Sequence, residues 1–167
     1  YVPQKGILFS GTIESNLRYG KQNATEQQVK KAAEIAQAID FIMEKEEGFD
    51  SPIAQGGTNV SGGQKQRLSI ARAVIKNPEI YIFDDSFSAL DYKTDVVLRK
   101  ALKKETKDAT TIIVAQRIST ILHAEQIIVL DEGKIVGKGK HEELLKNCEV
   151  YQEIAYSQLS KEELNHE

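Results

Sequence analysis

The chain has 167 residues, 40% of them apolar, and a net charge of −3, which fits one globular domain with a buried core. The acidic balance argues against a nucleic-acid-binding surface, because such surfaces usually cluster Lys and Arg. Cys148 is the only cysteine and no apolar run approaches the about 20 residues that cross a bilayer, so this sequence holds neither a disulfide framework nor a membrane-spanning helix.

From about residue 14 to residue 54 the pattern predicts mostly helix. Thr25 and Gln28 have the spacing of a capping box, in which each side chain satisfies a backbone N–H group at the start of a helix. The apolar residues that follow recur on one helical face and predict a buried stripe. They are Val29, Ala32, Ala33 and Ala36.

Residues 59–68, with the sequence NVSGGQKQRL, predict the start of another amphipathic helix. The first N–H groups of a helix have no partner within it and carry partial positive charge, so they bind phosphate. Two glycines let a phosphate approach the backbone, and the Ser61 hydroxyl can cap the helix or donate to a phosphate oxygen. For Ser-Gly-Gly alone, an ordinary helix cap is the alternative interpretation. The predicted buried face is Leu68, Ala71, Val74 and Ile75.

The apolar run at residues 80–83 predicts a buried strand that ends at Asp84 and Asp85. Ligand-binding groups of open parallel sheets lie beyond the carboxyl ends of the strands. Magnesium prefers oxygen ligands and shares them with nucleotide phosphates. The sequence therefore predicts a magnesium site here, the alternative being two acids that enter a loop.

The remainder of the chain alternates predicted helix and strand, which indicates an α/β core. A helix is expected over residues 92–107, a strand over 111–115 and a hairpin around 131–133. His141 begins a closing helix and is interpreted as a surface or capping residue. The inward residues of the first of these helices are predicted to be Val97, Leu98, Ala101 and Leu102.

Several of these segments resemble the motifs of ABC ATPases. Residues 61–64 look like the signature motif, residues 80–85 look like the Walker B strand, and residues 88–91 look like the D-loop. Upstream, residues 1–4 resemble the Q-loop, and residues 8–17 resemble the sequence that follows the Q-loop in exporters.

The resemblance covers the chain to about Tyr156 and implies an α/β fold. This fold is a P-loop NTPase-like ABC ATPase core, a partial parallel sheet with flanking helices, together with the ABC α-helical subdomain. Residues 1–78 would hold the Q-loop and the helical subdomain, ending in the signature helix. Residues 79–160 would form the Walker B, D-loop and H-loop portion of the core, and residues 161–167 a charged tail. The implied function is ATP binding and hydrolysis for an exporter of the multidrug or lipid type.

The resemblance also implies the cofactors, ATP and Mg²⁺, and the residues that bind them. Asp84 and Gln4 stand at the magnesium-binding positions. Asp85 stands at the position of the catalytic glutamate, Gln116 at that of the switch histidine, and Asp91 lies in the D-loop. The signature residues would contact ATP held by a partner domain. They are Ser61, Gly62, Gly63 and Gln64.

Two of these positions depart from the family pattern. Asp85 is one methylene shorter than glutamate, and misplacing a catalytic group by about 1 Å can cost about 10²-fold in rate. Gln116 can hydrogen-bond a phosphate but cannot carry a proton charge as imidazole does. Both changes weaken hydrolysis while the signature is intact. The alternatives are neutral drift of a loop residue at Gln116 and a functional conservative exchange at Asp85. Taken together, the two changes resemble the degenerate-site subunit of a heterodimeric bacterial exporter.

The sequence contains no Gly-x-x-x-x-Gly-Lys-Ser/Thr string, the P-loop that normally holds the nucleotide phosphates. We expect the chain to be the C-terminal part of a nucleotide-binding domain, soluble and inactive by itself. Its expected partners are a second nucleotide-binding domain, in a heterodimer, and the transmembrane domain of the same full-length protein, which would make all membrane contact. The full-length protein is expected at the cytoplasmic face of the cell membrane, without a nucleic-acid partner.

Two other functions stay open at this point. A soluble ABC-type ATPase of translation or chromosome maintenance would lack the exporter-like residues 11–17 or carry long insertions. A catalytically silent regulatory nucleotide-binding module would keep the signature and have lost hydrolysis. Measuring ATPase activity of the full-length protein with and without its partner separates this silent module from the exporter.

Overall fold

The structure, a computed structural model, describes residues 1–159. The chain divides into two compact units, the first being Tyr1–Val114 and the second beginning at Ala115. In the described part the helices are α1 (Ile13–Arg18), α2 (Glu26–Ile35), α3 (Ile39–Met43), α4 (Gly62–Lys76), α5 (Tyr92–Glu105), α6 (Ile118–Ile121), α7 (His141–Asn147) and α8 (Glu149–Gln158). The strands there are β1 (Gly11–Thr12), β2 (Pro52–Ile53), β3 (Ile80–Asp84), β4 (Thr110–Val114), β5 (Ile127–Asp131) and β6 (Lys134–Gly139).

A parallel strand pair in the first unit carries the two predicted carboxylates. β3 pairs with β4 along its whole length, and Val2 bridges in parallel to Phe83 of β3. Three extended segments therefore run in the same direction, and the alternation of strand and helix confirms the α/β class. Because parallel strands end at a common edge, Asp84 and Asp85 leave β3 beside the segment that follows Val2.

The predicted amphipathic faces of α2 and α4 are confirmed, and these two helices pack against each other. The capping box of α2 is also confirmed. The Gln28 amide N–H donates to the Thr25 hydroxyl at 3.2 Å, and the Thr25 N–H donates to the Gln28 side-chain oxygen at 3.0 Å. The buried residues of the two faces are Val29, Ala32, Ala33 and Ala36 beside Leu68, Ala71, Val74 and Ile75.

The predicted inward face of α5 is partly wrong. Leu98 and Leu102 are buried, but Val97 is 44% exposed, and Ala101 is only half-buried. Asp95 takes the inward position instead, at 3% exposure, with its carboxylate ion-paired inside the helix. Asp95, Leu98 and Leu102 share one helical face. The prediction considered apolar residues alone, so it included Val97 in the inward face and omitted the buried acid.

The second unit is a hairpin packed under two helices. β5 and β6 pair antiparallel around Glu132 and Gly133, whose φ angles of 46° and 76° suit the primed turn of a two-residue hairpin. The predicted hairpin is confirmed. Its core includes Leu144 of α7 together with Tyr151 and Ala155 of α8.

The compact units do not follow the predicted functional division. The division places a boundary after residue 78, whereas Tyr81 and Phe83 of β3 share the core of α2 and α4, and the units separate after Val114. The functional subdomains therefore stay a prediction, and the predicted tail at 161–167 lies outside the described residues. Across residues 1–159, no helix has the length and apolar character needed to span a bilayer.

Candidate functional site

The start of α4 is held by a reciprocal pair of hydrogen bonds. The Ser61 hydroxyl accepts from the Gln64 backbone N–H at 3.2 Å, and the Gln64 side-chain oxygen accepts from the Ser61 N–H at 3.0 Å. The helix cap predicted from Ser61 is thus confirmed as a capping box. The amides of Gly62 and Gly63 belong to the first turn, where a helix offers no backbone acceptor. This end of α4 can therefore present N–H groups to an anion.

The two glycines differ in the space around them. A Cβ added at Gly62 would have no heavy atom within 4 Å, while a Cβ at Gly63 would lie 3.2 Å from the Ala89 carbonyl oxygen. Ser61 and Gly62 are exposed, and Gly63 and Gln64 are half-buried. Gly62 therefore marks the open side of this turn, where a phosphate can approach the backbone.

The carboxylates at the end of β3 each accept a hydrogen bond from a side chain near the start of the chain. The Tyr1 hydroxyl donates to Asp84 Oδ2 at 2.7 Å, and Gln4 Nε2 donates to Asp85 Oδ2 at 3.2 Å. The backbone N–H of Asp85 donates to the Val114 carbonyl at 2.8 Å, and its φ is 43°. Aspartate tolerates this left-handed conformation better than most residues. The structure thus brings Gln4 together with Asp85 and Tyr1 together with Asp84.

Tyr1 is a site residue that the motif comparison missed. Its hydrogen bond to Asp84 raises the pKa of the Tyr1 phenol, with smaller contributions from burial and from the Asp84 charge. The phenol therefore stays protonated and serves as a donor to Asp84. The signal available in the sequence was alternation, because Val2 faces the core and its neighbours must face the other way.

The donor set at the end of β3 fits a magnesium ion shared with a nucleotide. Asp84, Asp85 and the Gln4 amide supply the oxygen atoms that this hard cation prefers, and one or two protein carboxylates with phosphate and water complete such sites. Among residues 1–159, no group of three or more His, Cys, Asp or Glu side chains could hold a metal by itself. The residues therefore fit a Mg²⁺–phosphate complex better than an independent metal centre.

Asp91 lies at the N-cap of α5 rather than in an open loop. Its carboxylate accepts from the Thr94 backbone N–H at 3.0 Å and from the Thr94 hydroxyl at 2.7 Å. These bonds lower the pKa of Asp91, the side-chain bond contributing most. Asp91 thus fixes where the segment 88–91 joins α5, and a catalytic role for it stays a prediction.

Gln116 belongs to the second unit, whereas Gln4, Asp84 and Asp85 belong to the first. The Gln116 side chain is exposed just after β4. Its backbone carbonyl accepts from Gln158 Nε2 at 2.8 Å, and Gln158 Oε1 accepts from the Ile118 N–H at 2.9 Å. Gln158 at the end of α8 therefore holds the backbone of the segment that contains Gln116. A part for Gln116 in catalysis stays a prediction.

Sequence analysis also missed the pairing of two polar residues, Asn16 and Arg72. Asn16 is 2% exposed, and its side chain bonds the backbone N–H and carbonyl of Phe9 at 2.9 and 2.8 Å. Arg72 of α4 donates to the Asn16 side-chain oxygen at 2.9 Å and to the Ile7 carbonyl at 3.0 Å. These bonds tie the segment after Gln4 to α4, the helix that carries the signature.

Comparisons with known proteins identify the family. A family model described as ABC transporter matches residues 1–88, which is over half of the chain. The chain belongs to the ABC transporter family. A solved bacterial Atm1-family ABC exporter with ATP bound matches with a TM-score of 0.92 at 38% identity, over 96% of this chain and 28% of the exporter chain. The expected nucleotide-binding domain of the exporter type is confirmed.

Curated relatives give the same assignment to the ABC transporters. An uncharacterized ABC transporter ATP-binding protein of Mycobacterium tuberculosis is 52% identical over 160 residues, covering 94% of this chain and 27% of the relative. A putative multidrug export ATP-binding/permease protein of Staphylococcus aureus is 45% identical over 153 residues, covering 92% and 26%. The chain thus spans about a quarter of the length of these relatives.

Proposed function

We propose that this segment supplies the signature half of an ATP site completed by a second nucleotide-binding domain, in a membrane exporter. In this proposal Ser61, Gly62, Gly63 and Gln64 contact ATP bound to the partner, and its hydrolysis drives export of a substrate. The observation that carries the proposal is the exposed start of α4, held by the capping box of Ser61 and Gln64, with open space at Gly62. A helix end of this kind favours negative phosphate oxygens without further groups.

We also propose that the chain's own carboxylate side forms a slow, degenerate ATP site, which makes the assembly a heterodimer. Asp85 is short for a general base, and its carboxylate accepts a hydrogen bond from Gln4. Gln116 has no titrating group, so it cannot take the charge that a histidine takes near pH 7. Magnesium with ATP would lie against Asp84 and Gln4, where it would stabilise phosphate charge.

A further part of the proposal concerns the transmembrane domain of the full-length protein. Phe9 and Tyr19 are 45% and 68% exposed, their ring centroids lie 4.7 Å apart, and the Arg72 guanidinium lies 5.2 and 5.6 Å from the two centroids. An exposed aromatic pair of this kind supports a protein contact. We propose that it docks the transmembrane part, with the nucleotide-binding domains at the cytoplasmic face of the membrane.

The test compares two helix caps in the full-length transporter with its partner. Ser61→Ala and Thr25→Ala each remove the hydroxyl of a capping box, so each should lower stability by about 1 kcal/mol. Only Ser61 is assigned to the nucleotide, so Ser61→Ala should also lower the ATPase rate by about 10-fold to 100-fold, whereas Thr25→Ala should leave it nearly unchanged. Equal ATPase losses in the two variants would show that Ser61 acts only as a helix cap.

Asp85→Glu tests the degenerate site in the same transporter. The overall ATPase rate should change by less than about threefold, because the competent site turns over elsewhere and glutamate is strained at the left-handed φ of Asp85. A loss as large as that of Ser61→Ala would contradict the asymmetric assignment. For the chain alone, a calorimetric titration with Mg-ATP should show no tight binding, and tight binding would contradict its proposed dependence on a P-loop segment.

A further inference from the structure

The second signature glycine lies against the D-loop of its own chain, residues 88–91. A Cβ at Gly63 would lie 3.2 Å from the Ala89 carbonyl oxygen, whereas a Cβ at Gly62 would meet no heavy atom within 4 Å. The Ala89 oxygen is backbone, so it cannot turn aside as the end of a flexible side chain can. A methyl group at Gly63 therefore forces either the start of α4 or the D-loop to shift.

The D-loop has little room to retreat, because its next residue is anchored in the core. Leu90 is 6% exposed, and its Cδ2 lies 3.8 Å from the same Cβ position. The Leu90 N–H donates to the Phe87 carbonyl at 3.1 Å. Phe87 in turn packs on Phe83 of β3, with ring centroids 5.4 Å apart. The D-loop is thus held between α4 and β3.

A weaker electrostatic attraction from the same helix face acts at the far end of the D-loop. Arg67 follows Gly63 by four residues, so both lie on one face of α4. The positive charge of Arg67 attracts Asp91, and it adds to the Thr94 hydrogen bonds in lowering the Asp91 pKa. The Arg67 guanidinium also lies 4.7 Å from the Phe41 ring centroid, and this cation–π contact holds the Arg67 side chain in position. Gly63 and Arg67 lie on one face of α4 and therefore interact with the two ends of residues 89–91.

We propose that Gly63 is a positioning residue that sets the D-loop against the signature helix within one chain, in addition to any contact with phosphate. The absence of a side chain lets the Ala89 carbonyl approach α4, so the D-loop and the signature form one rigid piece. Gly62 is left to face the nucleotide. Any effect of this packing on an ATP site shared by two domains rests on the proposed function, but the packing itself exists without nucleotide.

Hydrogen exchange of the nucleotide-free, full-length transporter tests this role, with Gly62→Ala as the matched control for Gly63→Ala. The reporters are the amides of Ser88 and Leu90, which donate to the Asp85 and Phe87 carbonyls at 3.4 and 3.1 Å. In Gly63→Ala they should exchange about tenfold faster, the size expected of an overpacked contact, while the β3 amides keep their rates. In Gly62→Ala the D-loop amides should keep wild-type rates.

Equal D-loop exchange in the two variants would overturn the proposal. If Gly63→Ala also loses protection in β3, adding Ala89→Gly should restore it, because a glycine at 89 can turn its carbonyl away from α4. Failure of that double variant to recover protection would overturn the proposal as well. Nucleotide is absent throughout, so a failure of the proposed ATP contact would leave these results unchanged and is separately detected by the ATPase of Ser61→Ala.

Discussion

The chain contributes two regions to the proposed ATP sites, the signature half at the start of α4 and the carboxylate half at the end of β3, and these are built in opposite ways. The signature is local, since Ser61 and Gln64 satisfy each other's backbone across three residues. The carboxylate half is assembled across the fold, because Tyr1 meets Asp84 and Gln4 meets Asp85 at separations of 83 and 81 residues. A local element keeps its shape when its ligand contacts are changed, whereas the carboxylate half depends on the packing that brings distant segments together.

A charge at the signature should give the largest effect. Gly62→Asp adds a negative group where the proposed phosphate approaches, so the ATPase rate of the assembled transporter should fall about 10²-fold or more. The fold should be retained, because the new side chain enters open space and an acid at a helix N-terminus is favourable. ATPase assays combined with thermal unfolding check both parts.

The uncharged Gly62→Asn variant is the control for size in that experiment. It should lose clearly less activity than Gly62→Asp. If Gly62→Asp kept wild-type turnover while remaining folded, the start of α4 would not face a nucleotide, and the contrast between the two halves would lose its functional meaning.

The packing that ties the segment after Gln4 to α4 should give the next largest effect, on stability. Asn16→Ala removes one of the oxygen atoms that accept from Arg72 and the two side-chain bonds to Phe9, so the free energy of unfolding should fall by about 2–4 kcal/mol. A urea titration followed by tyrosine fluorescence measures this, with exposed Asn23→Ala as the matched control. A loss no larger than that of Thr25→Ala would show that the non-local contacts add little beyond a local cap.

The smallest expected effect is that of Tyr1→Phe, which removes one exposed hydrogen bond to Asp84. Because the pKa of Tyr1 is raised in the folded protein, the stability from this bond is fully present below the unfolded pKa of about 10 and is lost as pH rises through the higher folded value. Ultraviolet titration of tyrosine should therefore lose a late-ionising group in Tyr1→Phe. An unchanged titration would mean that Asp84 does not hold the Tyr1 hydroxyl.

The sequence predicted the local features well, for a physical reason. The capping box at Thr25, the helix cap at Ser61 and the hairpin turn at Glu132 depend on residues within a few positions, so their chemistry is visible in a short string. The pairing of Gln4 with Asp85 needed the family resemblance, because spacing along the chain does not encode a contact across 81 residues.

The features that sequence analysis missed arise from tertiary packing. Asp95 displaced Val97 from the inward face of α5, since a buried acid paired within its helix carries no apolar signal. The contact of Gly63 with Ala89 was equally hidden, because a glycine in a helix start has an adequate explanation in phosphate binding alone. At both positions a familiar interpretation, apolar burial in α5 or phosphate binding at Gly63, hid a second role that depends on tertiary packing.

The reciprocal bonds between Ser61 and Gln64 bear on how such chains evolve. The same pair that would meet a nucleotide also starts α4, as Thr25 and Gln28 start α2 without any ligand. Purifying selection for folding would therefore preserve serine and glutamine in a lineage whose transporter had ceased to use ATP at this surface. Gly62, which no neighbour constrains, is then the position whose drift would first record such a loss.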